Sequence, residues 1–159
     1  MAELKAMFST IGFKNPITYI QSGNVIFDSE IEDVEIIESL ISKAILHTFG
    51  HEVPVLVKKS SDFDSIIDSN PFYSDSVDTK QLHFTFLNRI PSSVDVENVE
   101  LTDFGVDKFK IIRDTVYLCI ENSYHKTKLS NLFFEKQLNV STTTRNWNTA
   151  NKLVVLLKK

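Results

Sequence analysis

Thr142-Thr-Thr-Arg-Asn-Trp-Asn-Thr149 packs hydroxyl, guanidinium, amide and indole groups into one short stretch, preceded by Lys128-Leu-Ser-Asn-Leu-Phe-Phe-Glu-Lys136. These groups bind oxygens. Read as the lead-in to a final helix starting after Thr144, the stretch sets unpaired helix N–H groups and the positive end of the helix dipole beside the Thr142, Thr143, Thr144 and Asn146 side chains. Arg145 adds a planar fork matched to phosphate or carboxylate. A cation in a first helical turn costs roughly 0.3–1 kcal/mol, which a bound anion would offset. The candidate ligand residues are therefore Lys128, Asn131, Thr143, Thr144, Arg145, Asn146, Trp147 and Asn148. The plainer alternative is that Thr144 only caps the helix and Arg145 pairs with a carboxylate. Trp147 offers a surface for stacking a base, a contact of ~1–3 kcal/mol. Its spacing to Ala150 and Val154 equally suits the apolar face of its own helix.

A second chemistry is proton transfer by Tyr124 and His125, which lie just before the Lys128 segment, with Arg145 as the anion-holding group. His125 has the pKa range for it, but no base–nucleophile spacing completes a reaction. His47 and His51 straddle Gly50, where a helix should break, and so do not share a metal. His83 falls on the polar side of a strand with Gln81 and Thr85. Cys119, the single cysteine, sits in the strand-like run Val116-Tyr-Leu-Cys-Ile120, the setting of an inert buried thiol. No P-loop, Gly-x-Gly-x-x-Gly, zinc spacing or Gly-x-Ser-x-Gly occurs. No metal and no cofactor is expected.

Charge is unevenly shared. Residues 1–107 carry 7 Lys+Arg against 18 Asp+Glu, or −11; residues 108–159 carry 10 against 3, or +7; the chain carries −4. After Glu135 there is no acid at all. A basic part of this kind suits an anionic partner, while the overall negative charge argues against strong general duplex binding. Mutual neutralisation of the two parts is the other reading.

The elements that must position these residues follow from local pattern. Leu4, Met7, Phe8 and Ile11 mark a helix over residues 2–11, ended by Gly12. Ile17-Thr-Tyr-Ile-Gln-Ser-Gly-Asn-Val-Ile-Phe27 reads as a hairpin turning at Ser22-Gly23. Ser29 and Glu32 form a candidate capping box for a helix with Ile37, Leu40, Ile41, Ala44 and Ile45 as its stripe, stopped by Gly50. The acids Glu30, Glu32, Asp33, Glu35 and Glu38 read as that helix's solvated face and first turn. Val53-Pro-Val-Leu-Val57 reads as a strand. Ser61 starts a short helix with Phe63, Ile66 and Ile67, ended at Asn70-Pro71. Gln81–Leu87 alternates as a strand, and residues 90–107 read as loop. Phe109–Ile112 and Thr115–Ile120 form a second hairpin around Arg113-Asp114. Leu129, Leu132, Phe133 and Leu138 make a helix ended by Asn139, and Trp147, Ala150, Leu153, Val154 and Leu157 stripe the last one.

Mixed hairpins and helices favour an α+β fold with a mostly antiparallel sheet and helices on one face. The stretch α-β-β-α-β would be a ferredoxin-like, split βαβ unit if one strand preceded it. With 159 residues the chain fits one domain, or two packed subdomains of about 1–88 and 89–159.

Tyr19-Ile-Gln-Ser-Gly-Asn-Val-Ile-Phe27, Lys128–Lys136 and Thr143-Thr-Arg-Asn-Trp-Asn-Thr149 together resemble a bacterial family catalogued as domain of unknown function 1697. The resemblance runs over about residues 1–157. It implies an α+β fold related to the ferredoxin-like arrangement, in duplicate, and no established reaction. Family members open some twenty residues earlier with a strand and a Gly-rich turn, so a gap in the sheet beside the first helix is expected here, with an open edge able to pair two copies.

The leading functional expectation is a binding module for an anionic ligand, either a phosphate-bearing small molecule or single-stranded nucleic acid. The alternatives are a small enzyme acting on an anionic substrate and a protein–protein interaction module. No run approaches the ~20 apolar residues needed to span a bilayer, and the N-terminus has no apolar signal core, so no membrane partner and a cytoplasmic location are expected.

Overall fold

The computed structural model describes residues 2–19 and 23–159; the Ser22 half of the expected hairpin turn lies outside them. The chain is α+β, with six α-helices and two antiparallel sheets among the described residues. It divides into two compact units: residues 1–60 with Leu153–Lys159, and Ser61–Lys152. Residue 88 lies inside the second unit, directly after a strand.

In the first unit, α1 (Ala2–Thr10) lays Met7 and Phe8 into the core, with Leu4 and Ile11 beside them. The strands β1 (Lys14–Tyr19) and β2 (Asn24–Asp28) pair antiparallel. The register shifts between Lys14 and Ile17. Asn15 takes a left-handed φ of 54° there, and Pro16 has no N–H to give the ladder, so the strand bulges. Phe8, Phe13 and Phe27 meet at ring separations of 4.7–5.9 Å.

The helix α2 (Val34–Phe49) closes this core with Ile37 and Ile41. Two expectations need correcting. Its cap is Asp33, whose carboxylate accepts from the Glu35 and Ile36 N–H groups, and not Ser29, which closes its own turn by accepting from the Ile31 N–H. Leu40 points outward, because the helix meets the core through Ile37 and Ile41, with Ala44, Ile45 and Phe49 partly buried beside them. Gly50 ends the helix in the left-handed region at φ 75°, as its lack of Cβ allows.

Val53–Val57 is no strand. Val55 and Val57 pack on the first core, but Pro54 cannot donate, and the Val57 N–H goes to Glu38 Oε1 at 2.9 Å rather than to a neighbouring strand. Desolvation raises the Glu38 pKa, so this acid is less solvated than the helix face on which it was expected.

The second unit holds α3 (Ser60–Asp68, entering from the first), β3 (Leu82–Leu87), α4 (Ser93–Glu100), β4 (Lys108–Ile112), β5 (Thr115–Cys119), α5 (Asn131–Leu138), β6 (Thr142–Asn146) and the start of α6 (Trp147–Leu157). Its sheet runs β4-β5-β3-β6, antiparallel throughout. From β3 to β6 the element order is β-α-β-β-α-β, each crossing leaving room for one strand between those it joins. Among the described residues the first unit's sheet has two strands.

β3 is central and closed in on both faces. His83, Thr85 and Leu87 share one face with Val116 and Leu118 of β5. There Val99 of α4 and Phe134 and Leu138 of α5 complete the core. Leu82, Phe84 and Phe86 share the other face with Tyr117. α3 lies against that side: Phe63 meets Phe86 at 5.4 Å, and Tyr117 donates its hydroxyl to the Ile66 carbonyl at 2.8 Å. Burial pushes the Tyr117 pKa up to about 12, so its proton stays in that bond.

Residues 90–107, expected as loop, contain α4. Ser92 caps it by accepting from the Asp95 N–H, yet only Val99 is buried, with Val96 partly so. The periodic signal is too short to see. In α5 the buried face is Phe134 and Leu138; Leu132, expected inside, is 76% exposed. Asn139 ends the helix at φ 55°.

These caps are separable by mutation. Asp33→Ala should lower unfolding stability by about 1 kcal/mol, and Ser29→Ala by a few tenths at most, in denaturant melts. Equal losses would restore the Ser29 cap.

Candidate functional site

Residues 142–146, expected to lead into a helix, are strand β6, and α6 begins only at Trp147. The correction has a physical cause. Thr142, Thr143 and Thr144 are β-branched and favour the extended backbone, and β3 offers them a partner edge along His83–Leu87. No bouquet of helix N–H groups therefore forms around the three threonines.

Strand geometry also sorts the side chains, because neighbours point to opposite faces. Thr144 joins the α4–α5 face: its hydroxyl lies 2.8 Å from that of Thr85 and donates to Asn131 Oδ1 at 2.5 Å. Thr143 and Arg145 turn to the α3 face, where Arg145 stands opposite Phe84 in the ladder. Arg145 Nη1 donates to Thr143 Oγ1 at 2.8 Å and to the Thr144 carbonyl at 2.9 Å. Burial lowers its pKa; the guanidinium is held partly out of water. Asn146 Oδ1 accepts from the Thr149 N–H at 2.8 Å, so Asn146 takes the capping role that had been assigned to Thr144.

Of the expected ligand residues, Thr143 and Arg145 are hydrogen-bonded, and Trp147 meets Phe84, the ladder partner of Arg145. Thr144 and Asn131 are joined to each other in the interior of the other face. Lys128 is exposed in the connection before α5, whose Asn131 meets Thr144 on that other face, and Asn148 is exposed at the start of α6.

Trp147 is half-buried and part of an aromatic pile. Its ring lies 6.0 Å from Phe84 at 19° and 4.8 Å from Tyr73 at 7°. Tyr73 is the outermost ring and is 50% exposed. No periodicity or motif in the sequence singles out this residue. The available signal was an aromatic pair, Phe72-Tyr73, in an otherwise Ser- and Asp-rich loop. Asn70 shapes that loop by accepting the Phe72 N–H at 2.9 Å.

The central aromatic row is not a docking surface. Phe84, Phe86 and Tyr117 occupy positions on the middle strands where an open four-stranded sheet would stack bases, but α3 covers them and all three are buried. Only the rim, at Tyr73 and Trp147, reaches solvent.

Tyr124 and His125 lie in a 3-10 turn capped by Ser123. Tyr124 stacks on His83 at 4.9 Å, and His125 is exposed. His83 stands opposite Asn146, on the face away from Arg145. Tyr124 is thus not brought to Arg145, and the three groups do not form one proton-transfer site. Burial pushes the Cys119 thiol up, away from the thiolate form. Among the described residues no group of three or more His, Cys, Asp or Glu could hold a metal. A shallow concavity of about 330 Å³ is lined by Phe72, Asp103, Phe104, Asp107 and neighbours. Its carboxylates serve the backbone and a turn: Asp103 accepts from the Gly105 N–H, and Asp107 from the Glu121 N–H and the Thr127 hydroxyl.

His83 gives this region a pH signature. Its pKa is lowered, chiefly by burial, against a smaller opposing hydrogen bond from Nδ1 to the Gln81 carbonyl. The unfolded chain therefore takes up a proton first. The stability that His83 contributes is complete above its ordinary value near 6.5 and is lost as pH falls from there through the lower folded pKa. Melting temperature should drop between about pH 7 and pH 5, and His83→Gln should flatten that slope. An unchanged slope in the variant would assign it to other groups.

No curated protein is a significant match to the chain. Among solved structures, the conserved bacterial protein SP0830 from Streptococcus pneumoniae is similar in fold, with a TM-score of 0.76 at 23% identity, covering 100% of this chain and 89% of that one. Among the described residues, no helix is long and apolar enough to cross a membrane. The family model described as a protein of unknown function, DUF1697, matches residues 1–117, which carry the helices α1 to α4, the strands β1 to β4 and the first three residues of β5; the chain belongs to that family.

Proposed function

We propose that the second unit is a binding module for an anionic ligand, a phosphate-bearing small molecule or single-stranded nucleic acid, received on the α3 face beside β6. The observation that carries this reading is Arg145. Its guanidinium is half-buried, steadied by Thr143 Oγ1 and the Thr144 carbonyl, and set next to the Phe84–Trp147–Tyr73 pile. A cation partly withdrawn from water attracts an oxyanion more strongly than a solvated lysine does, because less dielectric screening separates the charges. Its fork is already held, so less rotamer freedom is lost on binding. Over Ser61–Lys152 acids outnumber bases by 13 to 10, so the attraction rests on Arg145 itself and not on the net charge of the unit.

The test uses the chain's single tryptophan. Trp147 sits in the pile, so its fluorescence reports on ligands arriving there. Titration with nucleotides and short single-stranded oligomers at low salt should give saturable binding. Arg145→Ala should weaken it about tenfold or more, the effect of a hydrogen bond to a charged group of ~1.5–3 kcal/mol. Lys128→Ala, on the α5 side, should change it by less than about a factor of two, in line with an exposed charge. Wild-type protein that binds none of these anions would reject the reading.

A further inference from the structure

We infer that the ligand carries a nucleobase, and that Tyr73 receives it by adding a fourth ring to the Phe84–Trp147–Tyr73 pile; this rests on the anion-binding reading above. The pile starts on the buried central strand and runs outward through nearly parallel rings, with interplanar angles of 19° and then 7°. Phe84 is fully buried and Trp147 half-buried, while Tyr73 is 50% exposed. One face of the tyrosine is taken by Trp147 at 4.8 Å, and half of the residue remains open to solvent. A flat aromatic surface in that state suits another planar π-system, since every base has a face to stack.

Three further features bear on the base reading. The loop holding Tyr73 also carries Asp75 and Asp78, which weaken purely electrostatic capture and leave stacking as the discriminating contact. Asn70 and Pro71 restrain the loop, Asn70 by its bond from the Phe72 N–H, so the ring is offered in place before binding. Arg145 stands at the inner end of the pile, opposite Phe84, with ring separations of 6.0 and 4.8 Å between that ring and Tyr73, so the phosphate it holds lies further along the ligand than the one next to the stacked base. A base with its phosphate is common to a mononucleotide and to a single-stranded oligomer, and the two are separable by experiment.

The experiment is a set of Trp147 fluorescence titrations of the full chain, checked by calorimetry. The probes are AMP, ribose 5-phosphate, a short single-stranded oligonucleotide, and an abasic oligomer of equal length and charge. The base-bearing member of each pair should bind about tenfold more tightly or better. Tyr73→Ala should erase that difference and Tyr73→Phe should keep it, with the melting temperature of both variants near wild type because the ring is half exposed. Preference for the oligomer over AMP identifies a strand as the source of the base; the reverse identifies a free nucleotide. If base-bearing and base-free probes bind equally, or Tyr73→Ala leaves their difference intact, the stacking inference is overturned while anion binding stands. If no probe binds, both fall.

Discussion

Thr142–Asn146 lie against His83–Leu87 in antiparallel register, and the pleat of that pair deals the side chains of β6 alternately to the two faces of the sheet. Most of what is specific about the second unit depends on this one pairing. Thr144 goes inward to Thr85 and Asn131 and becomes part of what ties α5 to the sheet. Arg145 goes to the other side, beside the aromatic pile. A slip of one residue would exchange them, burying the guanidinium among Val116, Leu118 and Phe134. The cost of an unpaired charge there protects the register.

The two units reach stability by different routes. The second wraps a four-stranded sheet on both faces, with a continuous aliphatic and phenylalanine core under α4 and α5. Among the described residues the sheet of the first is a two-stranded pair, which by itself is marginal in water, and the unit gains its core from three clustered phenylalanines and the packing of α1 and α2. Heavy use of phenylalanine suits small units, because each ring buries a large area at little cost in side-chain entropy. Covering the aromatic row with α3 has a functional side as well. It takes from the sheet the surface on which an open fold would stack bases and leaves Tyr73 and Trp147 at its rim.

Polar groups near the site are mostly committed to structure. Asn146 caps α6, Thr143 steadies Arg145, and Asp107 holds both the Glu121 N–H and the Thr127 hydroxyl. Density of functional side chains in a sequence is therefore a poor measure of chemistry. What distinguishes Arg145 and Tyr73 from their neighbours is incomplete solvation in one and a half-exposed aromatic ring in the other. Both are properties of the packed state.

By itself the sequence determined whatever local physics controls. The apolar faces of α1 and α3, the left-handed ends at Gly50 and Asn139, and the two hairpins rest on contacts within a few residues. The family resemblance is likewise a property of the linear chain. Tertiary structure decided the cases in which two local conformations are close in energy. Thr142–Asn146 could cap a helix or extend, and the edge of β3 chose extension. Val53–Val57 had strand propensity but no partner, because Glu38 took its N–H. Ser93–Glu100 became helical with a single buried residue, which no periodicity could announce. The rim of Tyr73 over Trp147 joins residues seventy-four apart in the chain, and a stack across that separation exists only once the sheet has brought its two ends together.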